Sequence, residues 1–318
     1  MDDAIELTDV TKRYGGVTAV DRLSLRVPRG SIVGFLGPNG AGKTTTIRMI
    51  MSILYPDEGS ISVLGQPRAL DVKDRVGYLP EERGLYRKMT VEQMLRYIGR
   101  LKGMSRGAVR RRAPECLERV GLLAWRHKRV EALSKGMSQK LQFVATILHA
   151  PELVILDEPF SGLDPLNMDL LKNTMLDLRR DGATVIFSTH QMDHAQRLCD
   201  RVVLINRGQK LLDGAMDEIR SRFAAPVVEL EGSGDLAALR SAPGVTRAEI
   251  ANGHARLELA ADADPNELLR RAMERVRVTR FEAQRPSLHE IFVRLVGEPT
   301  PLETAASAGG PGPAGGAA

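Results

Sequence analysis

Cysteine is scarce: the 318 residues contain two, Cys116 and Cys199, with no CxxC spacing. A disulfide framework does not fit, and a reducing compartment does. Aromatic residues amount to 4%, and no basic run is interleaved with them as a nucleic-acid stacking surface requires. No apolar run approaches the ~18 residues of a membrane span, so any work at a membrane needs a partner. The opening MDDAIELTDV is acidic and lacks the continuous apolar stretch of a signal peptide. A large excess of one charge is missing too: the net charge is +5, with a pI near 9.3. The clusters at Arg110 to Arg112 and Arg126 to Arg129 read as solvated helix faces, with contact to an anionic membrane surface as the sharper alternative.

What is present is the profile of a globular protein, 43% hydrophobic and 27% charged, long enough for one large domain or two ordinary ones. The first two-thirds alternate strand and helix signals. LSLRV and SIVGFLG flank the turn Pro28-Arg29-Gly30, and LVILDEP, TVIFSTH and RVVLIN are short branched apolar runs, as strands buried on both faces require. Helices are expected from Thr90, where Thr90 and Gln93 can form a capping box, and from Asp164-Pro165, an N-cap followed by proline at the first helical position. Residues from about 82 to 150 read as a mostly helical, arginine-rich lobe. A composition break at Ala224-Ala225-Pro226 places a domain boundary, 1–225 against 226–297. The second part reads strand, helix, strand, strand, helix, strand, helix, a small α+β unit of split βαββαβ type. The Ala/Gly/Pro-rich residues 298–318 are expected to be disordered.

GPNGAGKT, Gly37 to Thr44, fits G-x-x-x-x-G-K-[ST] and sits between an apolar strand, Ile32 to Leu36, and a helical run, Thr45 to Ile53. Backbone N–H groups of such a loop can ring a β-phosphate, with the helix N-terminus behind them. Lys43 can reach the β/γ oxygens and the Thr44 hydroxyl can ligate Mg²⁺. A P-loop needs a carboxylate at the end of a neighbouring buried strand, and LVILDEP supplies Asp157. Glu158 then lies where a carboxylate can polarise an attacking water. His190 ends TVIFSTH, at the strand end where parallel sheets place ligands. A competing reading pairs His190 with His194 as metal ligands, but no third ligand has suitable spacing. Finally, LSKGMSQKLQF reads as a turn capped by Ser134 and running into a helix with Met137, Leu141, Val144 and Leu148 on one face, a second place to hold an anion.

GPNGAGKT, LSKGMSQK, LVILDEP, SGLDP and STH, in that order, resemble an ATP-binding-cassette (ABC) ATPase over about residues 5–223. The resemblance implies an α/β P-loop core with a mixed sheet and a helical lobe, hydrolysing ATP with Mg²⁺. By motif, Gly37, Pro38, Asn39, Gly40, Ala41, Gly42, Lys43, Thr44 and Thr45 resemble the Walker A loop, and Asp157 resembles the Walker B aspartate. Glu158 resembles the catalytic glutamate, Ser161 to Asp164 the D-loop, and His190 the switch histidine. Tyr14, before Gly15-Gly16, matches the aromatic that stacks on adenine. LSKGM resembles the signature motif, whose Ser134 and Gly136 close over the γ end of the ATP held by the other subunit of a head-to-tail dimer.

Three positions in two motifs depart from the family pattern. Lys135 and Met137 stand where LSGGQ has glycine and glutamine, and Glu81 stands where most cassettes have a glutamine that touches the metal; a carboxylate can still ligate Mg²⁺. These departures and the terminal RPSLHEIFVRLVG resemble the bacterial ABC-2-type export ATPases similar to the NatA sodium-efflux subunit. That branch implies a separate ABC-2-type transmembrane permease, a homodimer or a heterodimer with a similar cassette, and a cytoplasmic location on the inner membrane face. Direct nucleic-acid contact is not expected. The rival reading is a soluble cassette ATPase acting on nucleic acid or ribosomes, or as a regulatory interaction protein. Such chains usually carry two cassettes or a long coiled coil, and here there is one set of motifs and no sustained heptads.

Overall fold

Runs of branched apolar residues without alternation become strands covered on both faces, and they set the frame of this chain. The computed structural model describes residues 3–82, 84–223, 226–260, 262–284 and 287–297; the expected disorder of 298–318 lies outside them. Strands β1 (Asp3–Tyr14), β2 (Val17–Pro28) and β4 (Glu58–Val63) form an antiparallel sheet in the order β2-β1-β4. A second sheet uses β3 (Ile32–Leu36), β5 (Val76–Leu79), β6 (Leu153–Asp157), β7 (Thr184–Thr189), β8 (Arg201–Asn206) and β9 (Gln209–Ala215). Its order is β5-β6-β7-β3-β8-β9, parallel except for β9. The sheet is therefore mixed, and every residue of β3, β6 and β7 is buried.

Helix α1 (Lys43–Ile50) follows β3 across the glycine-rich loop and ends before the expected Ile53. Helices α2 (Val91–Leu101), α3 (Arg106–Arg119) and α4 (Lys135–Ile147) make the expected lobe, closed around its own core of Met94, Leu95, Leu117, Leu141 and Leu148. Each start follows its cap. The Gln93 N–H donates to Thr90 Oγ1 at 3.2 Å, and the Thr90 N–H to Gln93 Oε1 at 2.9 Å. The Met137 N–H donates to Ser134 Oγ at 3.3 Å. Caps of this kind are worth about 1 kcal/mol each. Asp164 caps α5 (Pro165–Arg180) through the Asn167 N–H at 3.0 Å, with Pro165 in the first turn. Helix α6 (Met192–Leu198) follows β7, and α7 (Met216–Arg222) leads into the second unit.

Contacts divide the chain into Met1–Met216 and Asp217–Ala318, upstream of the composition break at Ala224. In the second unit, β10 (Val227–Gly234), β11 (Val245–Ala251), β12 (His254–Leu259) and β13 (Val276–Gln284) form an antiparallel sheet ordered β11-β12-β10-β13. Helices α8 (Pro265–Met273) and α9 (Leu288–Gly297) follow β12 and β13. This is the split arrangement, with one difference from expectation. The first crossover is a six-residue 3-10 helix, Leu236–Ser241, and not an α-helix. Only a short stretch separates the Asp235 cap from Pro243-Gly244, and burying Leu236 and Leu239 suffices to close that core.

Candidate active site

The loop between β3 and α1 needs glycine for room as much as for phosphate. A Cβ on Gly42, at φ 103°, would lie 2.5 Å from the Ala19 carbonyl oxygen, and one on Gly37 would lie 2.3 Å from that of Ile205. Residues 39–45 line a cavity of about 430 Å³ together with Ala19, Glu81, Glu158, Ser161 and His190. Lys43 is 5% exposed, and its Nζ donates to the Gly37 carbonyl at 2.8 Å and the Pro38 carbonyl at 3.1 Å. The same Nζ lies 3.5 Å from Glu158 Oε1. His190 Nδ1 lies 3.1 and 3.2 Å from the two Glu158 carboxylate oxygens. Lysine, carboxylate and imidazole thus converge on one wall.

β6 is not hydrogen-bonded to β3, because β7 lies between them; Asp157, the carboxylate expected to hold the metal, sits one strand further away than its expected neighbouring position. Asp157 still reaches the loop. Thr44 Oγ1 donates to Asp157 Oδ1 at 3.3 Å, and Ser188 Oγ donates to the same oxygen at 2.6 Å. Asp157 is 1% exposed, and its Oδ2 is buried with no partner. A buried carboxylate oxygen without a donor is costly unless a cation or donor meets it. Beside a threonine hydroxyl, that donor set suits a hard divalent cation such as Mg²⁺. Tyr78 at the end of β5 responds to this anionic interior: burial first, then the Asp157 carboxylate, push its phenol up to about 12. We expect Asp157→Asn to keep the fold but to need about tenfold more Mg²⁺ for half-maximal ATPase activity. An unchanged Mg²⁺ titration would remove Asp157 from the metal site.

Glu158 itself is in the left-handed region at φ 47°, a conformation costing about 1 kcal/mol or more for a non-glycine residue. Its N–H donates to Ser188 Oγ at 2.9 Å. Ser188 Oγ therefore bonds both the Asp157 carboxylate and the Glu158 backbone, a contact that reading the motifs missed; the sequence signal was a hydroxyl near the end of a buried strand, and the structure pairs it in register with Asp157.

The remaining candidates lie elsewhere. Tyr14 ends β1 with its ring half-exposed, 5.7 Å from Lys12 Nζ, and does not line the cavity. Ser134, Gly136 and Asp164 gather at the N-termini of α4 and α5 and do not line it either. A Cβ on Gly136 would lie 3.6 Å from Asn167 Nδ2, so the two starts adjoin. The Asn167 N–H and amide hold the Asp164 carboxyl below the usual carboxylate range. Lys135 is exposed, whereas Met137 packs against the lobe core. The His190–His194 metal pairing fails: His194 is in α6, stacked edge-on with Phe160 at 5.4 Å, and no group of three or more ligating side chains occurs among the described residues.

Residues 20–161 match the family described as ABC transporter, and residues 214–296 match the C-terminal domain of ATP-binding protein DrrA1-3-like. The uncharacterised ABC transporter ATP-binding protein YhaQ of Bacillus subtilis is 42% identical over 92% of this chain and 98% of its own. The Nod factor export ATP-binding protein I of Paraburkholderia xenovorans is 38% identical over 92% of this chain and 97% of its own. NatA of Bacillus subtilis is 39% identical over 68% of this chain and 91% of its own. Among solved structures, an ATP-binding subunit of an ABC transporter superposes with a TM-score of 0.65 at 35% identity, covering 70% of this chain and 93% of that one.

Proposed function

The chain belongs to the ATP-binding proteins of ABC transporters, and from that premise we propose that it is the motor subunit of an ABC-2-type exporter, resident on the cytoplasmic face of the membrane. It is an ATPase, and ATP-binding subunits of this family work with transmembrane permeases. The observation that carries the reading is the meeting of Lys43, Thr44, Glu158 and His190 at one glycine-lined cavity, with buried Asp157 bonded to Thr44 behind it. Export is supported by the C-terminal domain match and by the relatives named for export. No helix among the described residues is long and apolar enough to cross a membrane, which agrees with a separate permease.

In this reading Lys43 leaves the loop carbonyls for the β/γ-phosphates, and Thr44 and Asp157 would hold Mg²⁺, with Glu81 at the mouth as a further oxygen donor. The bound cation supplies neutralisation of phosphate charge. Glu158 takes the proton of the attacking water, and His190, bonded to it, orients that carboxylate. Ser134 and Gly136 of a second cassette close over the γ end, so that the two chains form a head-to-tail dimer with two sites.

The permease has a candidate seat on the helical lobe. A groove of about 1110 Å³ between α2 and α3 is walled by Arg96, Arg100, Arg106, Arg110 and Arg126 over a floor that includes Val109 and Leu117. Among the described residues no ion pair engages Arg96, Arg100, Arg106 or Arg110. An amphipathic helix with carboxylates flanking an apolar stripe fits arginine walls over an apolar floor. Reversing Arg96 and Arg110 to Glu together should leave basal ATPase within about twofold but weaken co-sedimentation with permease-containing membranes by about tenfold. Full association would exclude the groove. Sedimentation with membranes in the absence of any co-expressed permease would count against the motor-subunit reading itself.

A further inference from the structure

Gln139, one turn into α4, is buried where the helix passes the elbow after β6. Its Nε2 donates to the Pro159 carbonyl at 2.6 Å. Its Oε1 is buried and has no partner. Flipping the amide would set oxygen against carbonyl oxygen, so the orphaned acceptor is the consequence of keeping that one donor bond. A buried unsatisfied polar atom in a folded protein asks for a reason.

The reason lies next door. Pro159 follows Glu158, whose backbone is held at φ 47°. Such a conformation persists only when its surroundings over-determine it. On its N-terminal side the Glu158 N–H is fixed by Ser188 Oγ at 2.9 Å. On the other side the clamp is Gln139. One turn further along α4, Gln142 Nε2 donates to the Glu82 carbonyl at 3.3 Å, beside Glu81 of the cavity. The helix that starts at Ser134 therefore grips the chain at both acidic corners of its own site.

We infer that Gln139 is a positioning residue that holds the Glu158 elbow in its strained, water-facing conformation and ties that conformation to the placement of the signature helix. When Ser134 and Gly136 engage the ATP of the opposite subunit, the axial placement of α4 is read by Pro159 in the same chain, so closure at one site sets the base at the other. This link between sites rests on the head-to-tail dimer proposed above; the clamp on Glu158 does not.

The test uses the full chain with Gln139→Leu, which removes the donor, and Gln139→Glu, which keeps the shape. Measured are ATP affinity, dimerisation with ATP, and kcat. Both variants should bind ATP within about twofold of wild type and dimerise with it, while kcat falls about tenfold or more at unchanged KM. The acid introduced by Gln139→Glu can, once protonated, donate to the Pro159 carbonyl again, and burial raises a carboxylic acid's pKa. The kcat of Gln139→Glu relative to wild type should therefore recover as pH is lowered from about 8 to about 6, which a packing role would not produce. Near-normal kcat in both variants, or a loss of ATP affinity that matches the loss of rate, overturns the proposal. A wild-type chain that never dimerises with ATP would remove the link between sites together with the head-to-tail reading, and the kcat comparison would still decide the clamp.

Discussion

Glu158→Gln should bind Mg-ATP at least as tightly as the wild-type chain, turn it over slower by about two to four orders of magnitude, and accumulate as an ATP-bound dimer. The amide occupies the same volume and can still bond His190 Nδ1, which lies 3.1 Å from the carboxylate. What is lost is basicity at the water. The negative charge 3.5 Å from Lys43 is lost as well, and its removal frees that ammonium for the phosphates. Binding and hydrolysis therefore move in opposite directions, which misfolding cannot imitate. Single-turnover hydrolysis and light scattering with ATP check both. Hydrolysis near the wild-type rate would exclude Glu158 as the base, and a monomer at saturating ATP would break the step from trapped nucleotide to closed dimer.

Much of the site is legible in the chain because backbone demands leave few options. The spacing from Gly37 to Thr44 is written by steric walls: Ala19 and Ile205 present carbonyls where a side chain at Gly42 or Gly37 would have to go. Asp157 and Glu158 stand out as charges ending a wholly apolar strand. Residues that act through tertiary contacts leave no such mark. Ser188 is one of three hydroxyls in β7, and its two bonds to Asp157 and Glu158 depend on β7 lying between β6 and β3. Gln139 looks like the polar face of an amphipathic helix until that helix is seen against Pro159. The 3-10 crossover at Leu236–Ser241 follows from how little chain was needed to seat two leucines, which hydrophobic pattern alone does not measure.

The proposed in-trans role of Ser134 and Gly136 would account for a second phosphate cradle in a chain that already has one, and it leads to the other large effect. Within one chain neither lines the cavity built around Lys43. Lys43→Ala disables the P-loop, and Gly136→Asp puts bulk and negative charge where a γ-phosphate would approach. Each homodimer should be inactive. If α4 serves the opposite ATP, a mixed dimer concentrates both defects in one site and leaves the other wholly wild type. Random exchange makes about half of the dimers mixed, each with one intact site of two, so roughly a quarter of wild-type sites should return in a head-to-tail C2 arrangement. If α4 served its own subunit's ATP, every site would carry a defect and none would return. Turnover can fall short of site number when both sites must close together, so trapped ATP is counted beside the rate. Subunit exchange demonstrated by label transfer, with no recovery of either quantity, would end the in-trans assignment of LSKGM.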